Sequence, residues 1–177
     1  MFDTIKAESG RFVPESGRYG GAMDPEKAFA GEELFPDVQP WDTVYDAMWV
    51  SHSEFWLAAG DGPGADIVTA IPEGDSVKGN GEAIGIPTLG SATRIAAVLT
   101  VWESPAPDGE GSLLGTSRIT SPTRELALVN VEGREPCPVL VLPDEGEHEV
   151  RVWRYAARGA DNPERYDIRV WLCPTRE

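Results

Sequence analysis

An all-β fold is predicted for this chain: an antiparallel β-sandwich of about eight or nine short strands behind an irregular N-terminal arm. Three observations predict it. From Val44 onward apolar residues recur with period two, the spacing of a strand with one buried face. Turn formers break that pattern at short intervals, drawn from 19 Gly and 15 Pro in 177 residues. The tripeptide Arg-Val-Trp occurs twice near the end, as Arg151-Val152-Trp153 and Arg169-Val170-Trp171, flanking a polar, turn-rich segment. An open barrel is the nearest rival architecture.

Residues 1–43 read as an irregular acidic arm and residues 44–177 as the β-sandwich domain. In the arm, single aromatics (Phe2, Phe12, Tyr19, Phe29, Phe35, Trp41) are scattered among Gly, Pro and charge. Only Asp24 to Ala30 has a helical start, with Asp24 as N-cap and Pro25 at the first helical position. The aromatics could pin the arm to the domain; without them it would be disordered. Residues 44–59 are apolar on both faces near Trp49 and Trp56, so they read as one central strand, kinked at Ser51–Ser53. Residues 60–81 form a long loop in which Ile67, Val68 and Ile71 make a short turn of structure. Residues 82–89 and 94–103 read as a hairpin around Gly90 to Thr93. Residues 113–119 and 123–131 follow as two strands, and 138–142 is a short apolar run.

Residues 148–157 and 165–173 make the closing hairpin. A turn centred on Asp161 sets Arg151 opposite Trp171 and Trp153 opposite Arg169. These four residues then share one partly wet face, where guanidinium groups cap indoles. Val150, Val152, Ile168 and Val170 share the other face, and Tyr166, Ile168, Val170 and Leu172 should point to the core.

Thirty Asp and Glu against 15 Lys and Arg give a formal charge of −15, about −10 of it outside the arm. A polyanion would be repelled, so neither nucleic acid nor an anionic membrane is an expected partner. A basic protein or a cation is the natural complement. Cys137 and Cys173 are too few and too far apart for a disulfide scaffold or a zinc knuckle. Residues 1–5 lead into no apolar run, and no stretch has the roughly 20 apolar residues of a spanning helix. A cytoplasmic protein with free thiols is therefore expected.

Catalytic signatures are weak. His52 and Glu54, two apart on a strand, could form an acid/base pair or a structural hydrogen bond. Gly79-Asn80-Gly81-Glu82-Ala83-Ile84-Gly85 lacks the spacing and context of a nucleotide-binding loop and reads as a turn into a strand. Neither a metal site nor a cofactor is expected, since ligand spacing for zinc and loop chemistry for calcium are both missing. The acidic loops remain as the best candidate surface. They carry Asp61, Asp66, Glu73 and Asp75; Asp108 and Glu110, beside Glu103; and Asp144, Glu145 and Glu147. Solvated loop charge is the plain reading; the functional one is a negative patch aimed at a basic partner. The second candidate is the stacking face of Arg151, Trp153, Arg169 and Trp171.

Three stretches carry a resemblance. They are Val50-Ser51-His52-Ser53-Glu54-Phe55-Trp56-Leu57; Leu114-Gly115-Thr116-Ser117-Arg118-Ile119-Thr120-Ser121-Pro122-Thr123; and a closing block. The block runs from Gly146-Glu147-His148-Glu149-Val150-Arg151-Val152 through Ala157-Arg158-Gly159-Ala160-Asp161 to Glu164-Arg165-Tyr166-Asp167-Ile168-Arg169-Val170-Trp171. Over about residues 44–174 the chain resembles a bacterial β-sandwich group similar to competence protein J, a nuclease inhibitor. The resemblance implies a sandwich fold and a non-enzymatic role in binding and inhibiting a nuclease; it maps no inhibitory residue onto this sequence. The resulting expectation is an acidic binding module, an inhibitor or immunity-type protein for a basic nuclease or toxin. Two rivals stay open: a small-ligand or carbohydrate-binding sandwich using exposed Trp, and an enzyme with a carboxylate-only site at Asp46 or Glu54.

Overall fold

A computed structural model of the chain describes residues 23–35, 37–60, 66–132 and 137–173. Ten strands form two five-stranded sheets. The first sheet runs β1 (Asp42–Ser51), β5 (Ala92–Trp102), β10 (Glu164–Leu172), β9 (Gly146–Arg154), β6 (Ser112–Ser121). The second runs β3 (Lys78–Gly79), β4 (Ala83–Pro87), β2 (Glu54–Ala59), β7 (Glu125–Val129), β8 (Val139–Val141). All pairings are antiparallel except β5 with β10. The described residues contain no α-helix; two 3-10 turns, Glu26–Phe29 and Val68–Ala70, are the helical pieces.

Period two places the core. Ile95, Ala97, Leu99 and Val101 of β5 and Ile168 and Val170 of β10 point inward, against Phe55 and Leu57 of β2 and Leu126 and Leu128 of β7. Tyr166 joins them and meets the Phe55 ring edge-on at 5.0 Å. Leu172 ends β10 at the rim and is 38% exposed, so the inward set stops one residue earlier than its alternation suggests.

Two sequence readings need correction for one reason: periodicity locates a strand but not the sheet it joins. Residues 44–59 are two strands in different sheets, broken at His52 and Ser53, both at φ 67°. Consecutive left-handed residues reverse the chain in two positions. β1 is consequently an edge strand and only β2 is central. The expected hairpin of residues 82–89 with 94–103 is a crossing from β4 in one sheet to β5 in the other. The Glu164 carboxylate anchors that corner by accepting the Leu89 and Gly90 amides, each at 2.9 Å.

The closing hairpin exists, but its register differs by two. Arg169 lies across from Arg151 and Asp167 across from Trp153. The reversal falls at Gly159 (φ 135°), whose carbonyl accepts the Asn162 amide at 3.2 Å, and the pairing centres on Ala160 rather than Asp161. Two residues make one full side-chain period, so every face assignment survives.

Left-handed backbone, as at His52 and Ser53, is costly for side chains with a Cβ, most of all β-branched ones. Ser53→Gly is expected to be neutral or stabilising by up to about 1 kcal/mol, and Ser53→Val destabilising by at least about 1 kcal/mol. Denaturation midpoints at unchanged slope will measure both.

Candidate binding site

The outer face of the first sheet is built around charges on its central strand. Arg165, Asp167 and Arg169 alternate along β10, and all three are buried. Arg169 directs every donor of its guanidinium to an acceptor. Its Nε donates to Asp167 Oδ2 at 3.0 Å and Nη2 to the same oxygen at 2.6 Å. Nη1 donates to the Pro107 carbonyl at 2.8 Å and to that of Asp108 at 3.3 Å, and Nη2 also reaches Leu34 O at 3.4 Å. Burial pushes the Asp167 carboxyl above its ordinary range, and the bonded Arg169 guanidinium opposes that.

Indoles sandwich this pair. The Arg169 Cζ lies 5.3 Å from the Trp153 ring, 5.7 Å from Trp102 and 5.5 Å from Phe35, while Arg151 Cζ lies 5.0 Å from Trp171. The two guanidinium–indole pairs expected from the tripeptides are thus present, as diagonal rather than directly opposed neighbours. The face is not wet: Trp153 and Trp171 are both buried. Two segments cover it, residues 23–35 and the loop 103–111. Gly109 lies flat on Trp153, where a Cβ would meet the indole at 2.8 Å.

The described part of the arm is docked by the same chemistry. Phe29 is buried against Tyr45 and Tyr155, with ring centroids 6.0 Å apart in both cases. Phe35 meets Trp102 edge-on at 5.6 Å. Glu32 accepts Arg165 Nη1 at 2.6 Å and also bonds Arg158, whose Nη1 reaches Ala30 O at 3.2 Å. The Arg165 hydrogen bond, helped by Arg158, holds the Glu32 carboxyl below its ordinary range. Beside this clasp lies an open groove of about 580 Å³, lined by Phe29, Leu34, Phe35 and Tyr45 and by Asp24, Glu26, Glu32 and Glu33, with Lys27, Ala30 and Gln39 completing the wall.

The acidic loops are distributed between the two ends of the sandwich. Asp61 lies outside the described residues. Asp66 caps the turn at Val68, accepting that amide at 3.1 Å. Glu73 pairs with Lys78 at 2.8 Å and Asp75 with Arg154 at 3.9 Å. Asp108 pairs with Arg151 at 3.4 Å. Asp108 and the exposed Glu110 precede β6, whose first residue lies across from Arg154, so they share an end with Asp75. Asp144, Glu145 and Glu147 are exposed at the start of β9, about 26 Å from that end at 3.3 Å per residue. Glu147 pairs with Arg118 at 2.8 Å.

Among solved structures the chain is similar to ComJ from Bacillus subtilis, described as an inhibitor of the DNA degrading activity of NucA. The TM-score is 0.55 at 12% identity, and the match covers 76% of this chain and 98% of that one. The fold is ComJ-like. The product of crocagin biosynthetic gene J matches over the same shares, at 12% identity and a TM-score of 0.48. No family model matches the chain, and no curated protein does.

Within this ComJ-like sandwich the features that the rival readings invoke lie apart. Asp46 faces inward on β1, across from Ala97, whereas Glu54 opens β2 in the other sheet. Burial raises the Glu54 carboxyl above its ordinary range, against the pull of His52. His52 belongs to the turn and not to a strand face. Trp56, Trp102, Trp153 and Trp171 are buried. Trp41 and Trp49 are the exposed indoles, one just before β1 and the other near its end, eight positions and about 26 Å of extended chain apart. Among the described residues no group of three or more His, Cys, Asp or Glu side chains is placed to hold a metal, and no helix is long and apolar enough to cross a membrane.

Reading from sequence missed the groove, because its acidic and aromatic residues come mostly from the arm. The available signal was Phe29 and Phe35 bracketing Glu32-Glu33: apolar anchors interleaved with carboxylates. Arg165, Asp167 and Arg169 were legible as a charged alternation on β10, but that pattern also describes a solvated face.

Removing one partner of a buried ion pair leaves an unpaired charge. Arg169→Met is expected to cost about 3–5 kcal/mol at pH 7, and Asp167→Asn in the same chain to recover part of it. Asp167 is raised in the folded state, so the proton it gains on acidification favours folding. The Arg169→Met deficit should therefore shrink as pH falls from 7 toward the carboxyl range. Urea unfolding at several pH values will test this; a deficit independent of pH would show that the unpaired Asp167 charge is not its source.

Proposed function

We propose that this chain is a non-enzymatic acidic binding module that restrains a basic protein, with a DNA-degrading nuclease as the class of partner. The observation that supports it most is the fold's likeness to ComJ, a nuclease inhibitor, over almost the whole of that protein. The charge of −15 agrees with it, since a nuclease must present a positive surface to DNA and an acidic protein can compete for that surface. Long-range attraction between the two would speed encounter and fade as salt shortens the Debye length.

Inhibition of this kind has a signature distinct from shielding DNA. The protein should protect DNA from a basic nuclease without binding DNA itself. Purified protein is expected to slow plasmid degradation by the nuclease fraction that a cation exchanger retains from source cells, and to do so less at high salt. A mobility-shift assay at about 0.15 M salt should show no complex with DNA alone. Tight DNA binding, or full nuclease activity in the presence of excess protein at low salt, would remove this reading.

A further inference from the structure

We propose that the groove beside residues 24–35 seats an arginine or lysine side chain presented by the basic partner, an inference that rests on the reading above. The floor is aromatic. Phe29 is buried 6.0 Å behind Tyr45, at an interplanar angle of 52°, and Phe35 already carries Arg169 at 5.5 Å, so the half-buried Tyr45 and Leu34 are the apolar surface turned to the groove. The phenol ring of Tyr45 can attract a cation through its quadrupole, and the alkyl stem of arginine or lysine covers apolar area at Tyr45 and Leu34.

The rim selects the sign of the occupant. Four carboxylates face one lysine around the opening. Two of the four are already engaged: Asp24 with Lys27 at 3.5 Å, and Glu32 with Arg165 and Arg158. Glu26 and Glu33 are exposed and have no basic partner among the described residues. Glu26 lies close enough to Tyr45 that its charge, added to burial, raises the phenol above its ordinary range and keeps it neutral. An anion would be repelled by this rim, and a neutral ligand would leave both free carboxylates unanswered. About 580 Å³ falls within the 300–1,000 Å³ typical of small-ligand clefts, enough for one basic side chain with its flanking backbone.

The test uses the full chain and a blocked triarginine peptide, with the citrulline counterpart as a neutral control. Two double variants remove equal charge: Glu26→Gln with Glu33→Gln at the groove, and Asp144→Asn with Glu145→Gln at the remote end. Calorimetry at low salt is expected to show the groove double weakened about tenfold and the remote double changed less than about twofold. Amide shift changes in the wild type should centre on Phe29, Glu33 and Tyr45. No triarginine binding, equal weakening by the two doubles, or equal affinity for the citrulline peptide would each overturn the groove. The plasmid assay separates this inference from the reading beneath it. If every variant protects DNA as well as wild type does, the groove fails and the inhibitor reading stands. If wild type gives no protection while triarginine still maps to the groove, the inhibitor reading fails and the cation seat stands.

Discussion

Arg169 is the group on which the outer layer of this molecule depends. A guanidinium with five donors on the central strand of a covered sheet can be buried only when each donor finds an acceptor. Its own strand supplies Asp167, two positions away on the same face. The remaining acceptors are backbone carbonyls, Pro107 from the loop before β6 and Leu34 from the arm. The same charge therefore ties three separate stretches of chain to one point. The indoles of Trp102 and Trp153 and the ring of Phe35 add cation–π attraction, and they also exclude the water that would weaken each of these bonds.

The second sheet solves the same covering problem with less machinery. Trp56, Ala58, Ala83 and Val129 form its outer apolar patch, and the turn at Val68–Ala70 covers it. One hydrogen bond, Trp56 Nε1 to Ala70 O at 3.1 Å, satisfies the buried indole. The two outer faces thus differ in kind. One is apolar with a single polar anchor, and the other is a network whose members are worth most when all are present. That contrast explains why the arm and the 103–111 loop, though irregular in backbone, are held by specific side chains.

How much of this was legible in the sequence depends on the range of the interaction concerned. Alternation along β10 gave the inward Tyr166, Ile168 and Val170, with only Leu172 misplaced, because side-chain direction is a local property of a strand. The face shared by Arg151, Trp153, Arg169 and Trp171 was legible for the same reason, and a slip of two residues in register could not disturb it. Sheet membership was not legible. The corner at which β4 and β5 part is held by Glu164, some 74 residues away from the Gly90 amide it accepts. Burial of the Arg/Trp face was not legible either, since its cover comes from Leu34, Phe35 and Gly109, none of which shares a period with the strands they sit on. The groove belongs to this second class, being made by the meeting of arm and edge strand.

The groove and the clasp beside it divide the arm's carboxylates into two kinds. Glu32 is locked between Arg165 and Arg158, and its lowered pKa means that the clasp is fully formed above the ordinary carboxylate range and loosens as pH falls below it. A carboxylate so engaged is a poor ligand for an incoming cation, because it would have to release two guanidinium groups first. Its role is to hold residues 24–35 in place, so that Glu26 and Glu33 line the groove with Tyr45. The charge that secures the arm and the charge that could be offered to a partner are therefore different residues, close in sequence and separated only by what each one touches.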